Sequence, residues 1–181
     1  AIDQLVHLDS LEISSLYSTS PVGGIEQDNF VNLVCSFFYK ESPFHLHNAL
    51  QKIERQLGKK KLLKNGPRNI DIDIIFFREK YILTEDLEVP HPRWKERLFV
   101  LQPLRDLTSS VSTPSKEKGL ELIDIQNLIE TFPNFHQERV ERLPSSRGWQ
   151  GTEDRFMIPA RLKSKFCSSI IDEIELDIVC T

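Results

Sequence analysis

The segment 70–77 (IDIDIIFF) constrains the fold most, because two acidic residues lie within an otherwise apolar run. In a β-strand, residues i and i+2 point to the same face, so Asp71 and Asp73 converge on one side while isoleucines and Phe76 fill the core on the other. Adjacent carboxylates repel each other, and keeping both ionised on a half-buried surface costs free energy unless a cation offsets them. The segment therefore predicts a strand with one core face and one acidic face.

A magnesium ion would offset this repulsion. Mg²⁺ takes oxygen ligands, keeps several waters, and usually bridges one or two carboxylates to substrate phosphates. The alternative is an edge strand whose acidic face meets water, and an isolated Asp-x-Asp pattern favours that alternative.

The loop upstream of this strand shifts the balance towards a phosphate site. Residues 59–69 contain four lysines and Arg68 but no acidic residue. Such a loop can neutralise charge that develops on a transferred phosphoryl group, although solvated lysine runs are also common. Gly66 and Pro67 set a turn immediately before Arg68, whose guanidinium can hold two phosphate oxygens in a fork geometry that lysine lacks.

The other periodic segments predict a mixed α+β domain. Ser42 and Pro43 are typical of a helix start, leucines and Ile53 follow at helical spacing, and Gly58 ends the helix. Strands are expected at 11–17, 30–38, 70–77 and 81–83, and a second helix at 121–131. If a strand and the start of a helix precede Ala1, the order becomes βαββαβ, the ferredoxin-like arrangement.

Five further side chains are ambiguous on sequence alone. Asn32 lies within an apolar strand, where its amide either bonds a neighbouring loop or recognises the edge of a heterocycle. Phe99 fits a core position or an aromatic platform, and His91, between two prolines, fits a rigid loop or a phosphate contact. Gln51 and Glu54 lie off the apolar stripe of their helix, where exposed surface is the favoured interpretation.

Composition argues against two classes of protein. The 181-residue chain has a formal net charge of −4, so its surface as a whole gives no electrostatic attraction for nucleic acid. No apolar run approaches the ~20 residues of a membrane span. Three cysteines without metal-ligand spacing fit a reducing compartment, and we predict a cytoplasmic location.

The composition changes after Leu107. Residues 108–118 are rich in Ser, Thr and Lys, and residues 132–155 are polar and resemble a linker. We therefore predict one domain over residues 1–131, followed by a separate segment over residues 132–181 that begins as a linker.

Two motifs resemble one enzyme family. GPRNIDIDIIFF (66–77), followed by VPHPRWKERLFVLQPL (89–104), resembles the signature of the 6-hydroxymethyl-7,8-dihydropterin pyrophosphokinases. That signature is a GPR-x-x-D-x-D strand, a V-P-H segment, an arginine six residues after the histidine, and an aromatic residue two positions beyond. SSLYSTSPVGG (14–24) and NFVNLV (29–34) are also in register, so the resemblance covers roughly residues 1–130.

The resemblance implies a ferredoxin-like α+β fold and a Mg²⁺-dependent reaction of folate biosynthesis. Pyrophosphate would pass from ATP to 6-hydroxymethyl-7,8-dihydropterin, with AMP as the other product. The implied site residues are Arg68, Asp71 and Asp73 for catalysis, with the two aspartates holding two Mg²⁺ ions; Gln51, Arg68, His91 and Arg97 for ATP; and Thr19, Pro21, Val22, Asn32 and Phe99 for the pterin. Glu54 would be a nearby polar support.

The chain departs from the family pattern in three places. The family begins with a strand, central in its sheet, and a Gly-Ser-Asn loop, and neither is found here, so the fold is expected to lack its first strand. Asn65 stands where family members often have an aromatic residue, and Lys59–Lys61 occupy the region of a loop arginine. Because such enzymes are sometimes fused in front of dihydropteroate synthase, the resemblance implies that residues 132–181 are an interdomain linker and the first edge of that partner.

Two rival hypotheses remain open on sequence alone. One is a truncated pyrophosphokinase-like domain that serves as a scaffold without activity. The other is a ferredoxin-like nucleic-acid module, which needs paired exposed aromatic residues and a basic surface. The acidic strand face and the negative net charge both argue against the second hypothesis.

Overall fold

The computed structural model describes residues 11–20, 29–58, 70–115, 119–133 and 139–144, together with the backbone of 177–180. These parts form a mixed α/β structure. Their helices are α1 (Pro43–Gln56), α2 (Leu98–Leu107) and α3 (Ile125–Glu130). Their strands are β1 (Glu12–Ile13), β2 (Tyr17–Thr19), β3 (Phe30–Asn32), β4 (Val34–Phe37), β5 (Asp73–Phe77), β6 (Ile82–Leu83), β7 (Glu88–Val89), β8 (Ser110–Ser115), β9 (Gly119–Asp124), β10 (Val140–Arg142) and β11 (Asp177–Cys180).

The largest sheet is antiparallel and has the strand order β1-β4-β11-β5. Within it, β11 lies between β4 and β5, with Val179 opposite Cys35 on one side and Ile74 on the other. A second antiparallel sheet has the order β10-β2-β3, and β6 with β7 and β8 with β9 form two-stranded ribbons.

Two apolar clusters lie on opposite faces of β4, since alternate residues of a strand point to opposite sides. The α1 cluster comprises Cys35, Phe37, Tyr39, Leu46, Leu50, Ile53, Ile72, Ile74, Phe77, Leu87 and Val89. The α2 cluster comprises Val34, Ile75, Phe76, Trp94, Leu98, Val100, Leu101, Leu104, Val111, Ile123, Ile125, Ile129 and Phe132. Because β5 contributes to both clusters, the prediction that it has one buried face is wrong beyond Asp73.

Helix α1 forms where its capping residues predict it. The Ser42 hydroxyl accepts a hydrogen bond from the His45 N–H at 3.2 Å, and Pro43 occupies the first turn. Gly58, just beyond the helix, has a φ of 88°, a left-handed conformation that glycine adopts without steric cost. The predicted start and end of this helix are therefore confirmed.

Both strands predicted before α1 are interrupted. Residues 11–17 are divided between β1 and β2, and residues 30–38 between β3 and β4, and each pair spans two different sheets. Side chains replace ladder partners at one break: the Ser14 hydroxyl accepts from the β4 backbone, and Asp106 Oδ2 accepts from the Ser15 N–H, both at 2.9 Å. The sequence pattern does not reveal these long-range bonds.

Helix α2 and the β8–β9 ribbon are elements that the periodicity does not predict. The prolines around residues 90–103 argue against a helix in the sequence, yet α2 contains Pro103 and so lacks one internal N–H donor. The polar residues 108–118 mask β8. The helix predicted at 121–131 begins only at Ile125, because Asp124 caps it by accepting a hydrogen bond from the N–H three residues on at 2.8 Å.

Residues beyond 131 contribute to the same structure. Phe132 is buried in the α2 cluster, and Val140–Arg142 pair with β2. A strand with one apolar residue has no detectable alternation, so the periodicity does not predict it. The division of the chain at residue 131 stays a prediction. None of the helices in the described ranges has the length and apolar character that crossing a membrane requires.

Candidate active site

Three charged or titratable side chains meet where β5 begins. Arg97 Nη1 lies 3.0 Å from Asp73 Oδ2, and His91 Nε2 lies 3.7 Å from the same oxygen. The Asp73 side chain is 39% exposed, whereas Arg97 and His91 are 21% and 16% exposed. The Asp73 carboxylate is therefore accessible to solvent, and the more deeply buried side chains of Arg97 and His91 flank it.

Backbone contacts bring His91 and Arg97 to this position. The His91 N–H donates to the Ile75 carbonyl at 2.9 Å, which docks the segment after β7 onto β5. Trp94 then opens a short 3₁₀ turn and packs edge-on against Phe76, with ring centroids 4.8 Å apart. This anchored turn leads directly into Arg97, the N-cap residue of α2.

The electrostatic surroundings favour a neutral His91. Burial lowers the pKa of His91 below its ordinary value, and the nearby Arg97 guanidinium lowers it further, while Asp73 acts in the opposite direction. His91 Nδ1 accepts a hydrogen bond from the Arg93 N–H at 3.1 Å, so the proton of the neutral ring lies on Nε2. His91 can thus present an N–H donor beside Asp73 without adding positive charge.

Asp71 and Ile72 precede β5. Asp71 is exposed, and Ile72 is buried in the α1 cluster. The Ile72 N–H donates to Glu54 Oε1 on α1 at 2.7 Å. Glu54 is only 4% exposed, so the expectation that it lies on the helix surface is wrong. The helical pattern could not reveal its role, because its partner lies 18 residues downstream.

Gln51 lies on the exposed surface of α1, one turn before Glu54. Its Nε2 lies 2.8 Å from Nε2 of His47, and the direction of that hydrogen bond depends on the histidine tautomer. The exposed surface favoured for Gln51 on sequence alone is confirmed, and its amide remains accessible to a ligand that approaches α1.

Two of the residues implied for the pterin lie on the paired strands β2 and β3. Asn32 Nδ2 donates to Thr19 Oγ1 at 2.8 Å, where Thr19 is buried and Asn32 is half-buried. Phe99 is half-buried against the α2 cluster, and the Arg97 guanidinium carbon lies 5.6 Å from its ring centroid. That distance is within the range of a cation–π contact, so Arg97 touches both Asp73 and Phe99.

Several predicted site residues lie outside the described residues. They are Pro21, Val22, Arg68 and the lysines of the 59–69 loop. Within the described part, no group of three or more His, Cys, Asp or Glu side chains could hold a metal ion by protein ligands alone. The carboxylates of the described site are those of Asp73 and of the exposed Asp71, two residues earlier.

A groove of about 430 Å³ opens beside His91. It lies between the 3₁₀ turn and the β8–β9 ribbon, and Trp94, Lys95 and Glu121 are among its lining residues. Lys95 Nζ lies 3.7 Å from a Glu121 carboxylate oxygen and 5.5 Å from the Trp94 ring centroid. Sequence analysis misses this groove because it does not predict the ribbon that forms one wall.

Known proteins resemble this chain in sequence. The sequence profile of 7,8-dihydro-6-hydroxymethylpterin-pyrophosphokinase matches residues 1–109. A Bacillus subtilis 2-amino-4-hydroxy-6-hydroxymethyldihydropteridine pyrophosphokinase is 43% identical over 100 residues, which are 55% of this chain and 60% of the relative. The Pseudomonas aeruginosa protein of the same name is 34% identical over 146 residues, 81% of this chain and 85% of the relative.

A third relative is larger. The bifunctional protein FolKE of Lactococcus lactis subsp. cremoris is 35% identical over 139 residues, which are 75% of this chain but 38% of the relative. The matched part of the chain thus spans less than two thirds of the Bacillus and Lactococcus proteins. The profile covers more than half of the chain, and the matched residues include Asp71, Asp73, His91 and Arg97. The chain therefore belongs to the 7,8-dihydro-6-hydroxymethylpterin-pyrophosphokinase family.

Proposed function

We propose that this chain transfers pyrophosphate from ATP to 6-hydroxymethyl-7,8-dihydropterin, giving the pterin diphosphate and AMP in folate biosynthesis. The observation that carries the proposal is the meeting of Asp73, His91 and Arg97 at the start of β5. It combines an acidic group for a metal–phosphate complex with an arginine fork and a neutral imidazole donor. The family membership gives this chemistry its substrate class.

The carboxylates fit magnesium. Asp71 and Asp73 offer hard oxygen donors, both with solvent access, and carboxylate oxygens are ligands that Mg²⁺ prefers. We propose that they hold two Mg²⁺ ions with the triphosphate. Bound there, the ions would neutralise phosphate charge and orient the triphosphate.

The protein groups of this phosphate side, by which we mean Asp71, Asp73, His91 and Arg97, have distinct tasks. Arg97 binds phosphate oxygens through two N–H groups at once. His91 donates a hydrogen bond from Nε2 as a neutral ring, so it adds no second positive charge beside Arg97. We further propose that Arg68 closes over the triphosphate from the 59–69 loop and that Gln51 contacts the nucleotide from α1.

The reaction itself is an in-line displacement. The pterin hydroxyl oxygen forms a bond to the β-phosphorus, the bond from that phosphorus to the oxygen shared with the α-phosphate breaks, and AMP leaves. The hydroxyl proton passes to solvent. The proposal assigns no general base, because positioning and charge stabilisation supply most of the catalysis in phosphoryl transfer.

The ring side, by which we mean Thr19, Asn32 and Phe99, suits a flat heterocycle. An amide offers both donors and an acceptor to a ring edge, and an aromatic face provides a stacking platform. We propose that Asn32 recognises the pterin edge and Phe99 its face. Thr19, with Pro21 and Val22, would complete the pocket wall.

We also propose the finer architecture that the family suggests. The α1 crossover between β4 and β5 supports a ferredoxin-like arrangement. We retain the proposal that residues 132–181 include the start of a fused partner such as dihydropteroate synthase. A longer reading frame that ends soon after residue 181 would contradict that proposal.

Pterin-dependent AMP formation from MgATP tests the function directly. Activity that requires both substrates would support it. MgATP binding without AMP formation would favour the scaffold alternative. Protection of the fold against protease by single-stranded RNA, but not by MgATP, would favour a nucleic-acid module instead.

A further inference from the structure

Glu54 is a buried acidic residue to which the proposed reaction assigns no task. It projects from α1, is 4% exposed, and accepts a hydrogen bond from the Ile72 N–H at 2.7 Å. Ile72 is the residue between Asp71 and Asp73. At 2.7 Å this hydrogen bond is short for an N–H donor and an oxygen acceptor, so it ties the helix to the start of the strand.

Among the described residues, strand pairing does not extend to Ile72. Pairing of β5 with β11 ends at Asp73, which lies opposite Cys180, and β5 itself begins there. The Ile72 N–H turns to α1 instead of to another strand, and the Ile72 side chain is buried in the α1 cluster. Helix α1 therefore anchors both the backbone and the side chain of the residue between the aspartates.

Extended backbone at Ile72 is a geometric requirement for a shared carboxylate site. Residues i and i+2 face the same side only while the backbone between them is extended. Rotation at Ile72 would carry Asp71 away from Asp73. The Glu54 bond opposes such rotation just where strand pairing has ended.

We propose that Glu54 is a positioning residue that keeps Asp71 and Asp73 on one face, and so sets the affinity of the pair for a divalent cation bound with a nucleotide. This inference rests on the proposed function. The same helix presents Gln51 one turn earlier, so a single rigid element aligns the carboxylate pair and the proposed nucleotide contact. Groups that orient metal-binding side chains typically change metal affinity about 10- to 100-fold when they are removed.

The test uses the full chain with Mn²⁺ as the metal and α,β-methylene-ATP as a nucleotide that cannot transfer pyrophosphate. Free and bound Mn²⁺ are measured by electron paramagnetic resonance, and hydrogen exchange of the Ile72 amide is followed in parallel. Glu54→Ala removes the acceptor, whereas Glu54→Gln retains a carbonyl oxygen at the same reach. Lys52→Ala, at an exposed position of α1, is the control.

We expect Glu54→Ala to weaken Mn²⁺ binding about tenfold or more and to speed exchange of the Ile72 amide, and Glu54→Gln to restore most of both properties. Faster exchange with unchanged Mn²⁺ affinity would overturn the inference and leave Glu54 as a purely structural tether. If Glu54→Ala does not fold, Glu54→Asp, which is one methylene shorter, provides the same two readings.

Failure of the proposed function would look different. In that case the wild-type chain would take up no Mn²⁺ with the nucleotide analogue, although its Ile72 amide exchanged slowly. That result would remove the metal–nucleotide site and, with it, the role of Glu54 in that site.

Discussion

The phosphate side and the ring side of the candidate site are held together by different forces. On the phosphate side, Asp73 and Arg97 lie 24 residues apart and meet through a charged contact of 3.0 Å. On the ring side, Thr19 and Asn32 lie on adjacent paired strands and meet through a neutral hydrogen bond of 2.8 Å. One half is assembled by charge across the fold, and the other by the register of a small sheet.

This difference determines how each half can respond to a ligand. Under the proposed function, a metal–phosphate complex would compete with Arg97 for Asp73. It would also offer phosphate oxygens to Arg97, so both charged groups would find new partners on binding. A pterin bound as proposed would replace at most the neutral hydrogen bond between Asn32 and Thr19, because the Asn32 amide has further donor and acceptor capacity. Substitutions should therefore have larger effects on the phosphate side than on the ring side.

Asp73→Ala should have the largest effect. It removes a proposed metal ligand and leaves Arg97 and His91 without their shared acceptor, so we expect pterin-dependent AMP formation to fall about 100-fold or more. Glu79→Ala, which removes an exposed carboxylate just beyond the other end of β5, is the matched control. An Asp73→Ala protein with near wild-type turnover would contradict the metal assignment.

Arg97→Ala should separate nucleotide binding from cation binding. Loss of a charge-assisted fork should weaken ATP binding about 10- to 100-fold. Without nucleotide, however, a divalent cation should bind more tightly, because Asp73 no longer pairs with a guanidinium. Calorimetric titration with Mn²⁺ alone and with MgATP measures both changes.

Arg93→Ala is the control for that experiment, since Arg93 is 65% exposed and, among the described residues, forms an ion pair with nearby Glu96 rather than with Asp73. Weaker Mn²⁺ binding by Arg97→Ala would show that Arg97 supports the cation site rather than competing with it.

Asn32→Ala should have a smaller effect, confined to the pterin. Loss of one or two neutral hydrogen bonds corresponds to about 3- to 10-fold weaker pterin binding, with ATP binding unchanged. Asn29→Ala tests the specificity of the effect, because Asn29 is exposed and bonds Ser18 at 3.2 Å on the same pair of strands. Equal losses of pterin affinity in both variants would indicate that the substitutions disturb the β2–β3 pair, rather than that the Asn32 amide contacts the pterin.

Local signals predicted the parts of this fold that local chemistry determines. Ser42, Pro43 and Gly58 mark the ends of α1 because capping depends on residues adjacent in sequence. Helix α2 was beyond reach of the same reasoning, because burial of Leu98 and Leu101 in the α2 cluster outweighs the proline within the helix.

The site shows the same limit. The sequence indicated Asp73 as a metal ligand from its strand pattern, and the family resemblance indicated Arg97, but neither predicted that the two side chains are in contact. The expectation that Glu54 lies on the helix surface was wrong for a related reason. The apolar stripe of a helix does not show which distant backbone N–H will donate to a polar side chain beside it. Contacts between distant segments are decided by packing, which periodicity does not encode.

Tyr17 should produce the smallest effect, and it tests how the ring side is attached. Tyr17 lies opposite Asn32 in the β2–β3 register, and its hydroxyl donates to Asp106 on α2 at 3.0 Å. Burial, followed by the Asp106 charge, raises the pKa of Tyr17 from 10.0 to about 12. A folded-state pKa above the unfolded value means that this stabilisation is complete below about pH 10 and is lost as the pH rises towards about 12.

Tyr17→Phe should therefore lower the stability of the fold near neutral pH but reduce its decline in alkaline solution. Urea unfolding at a series of pH values measures both effects. Burial also raises the pKa of Cys35 to about 12, and because Cys35 is present in both proteins, its contribution cancels in the difference between them. Parallel alkaline declines in the two proteins would mean that the Tyr17–Asp106 contact does not anchor the ring side to α2, and that strand pairing alone positions Asn32.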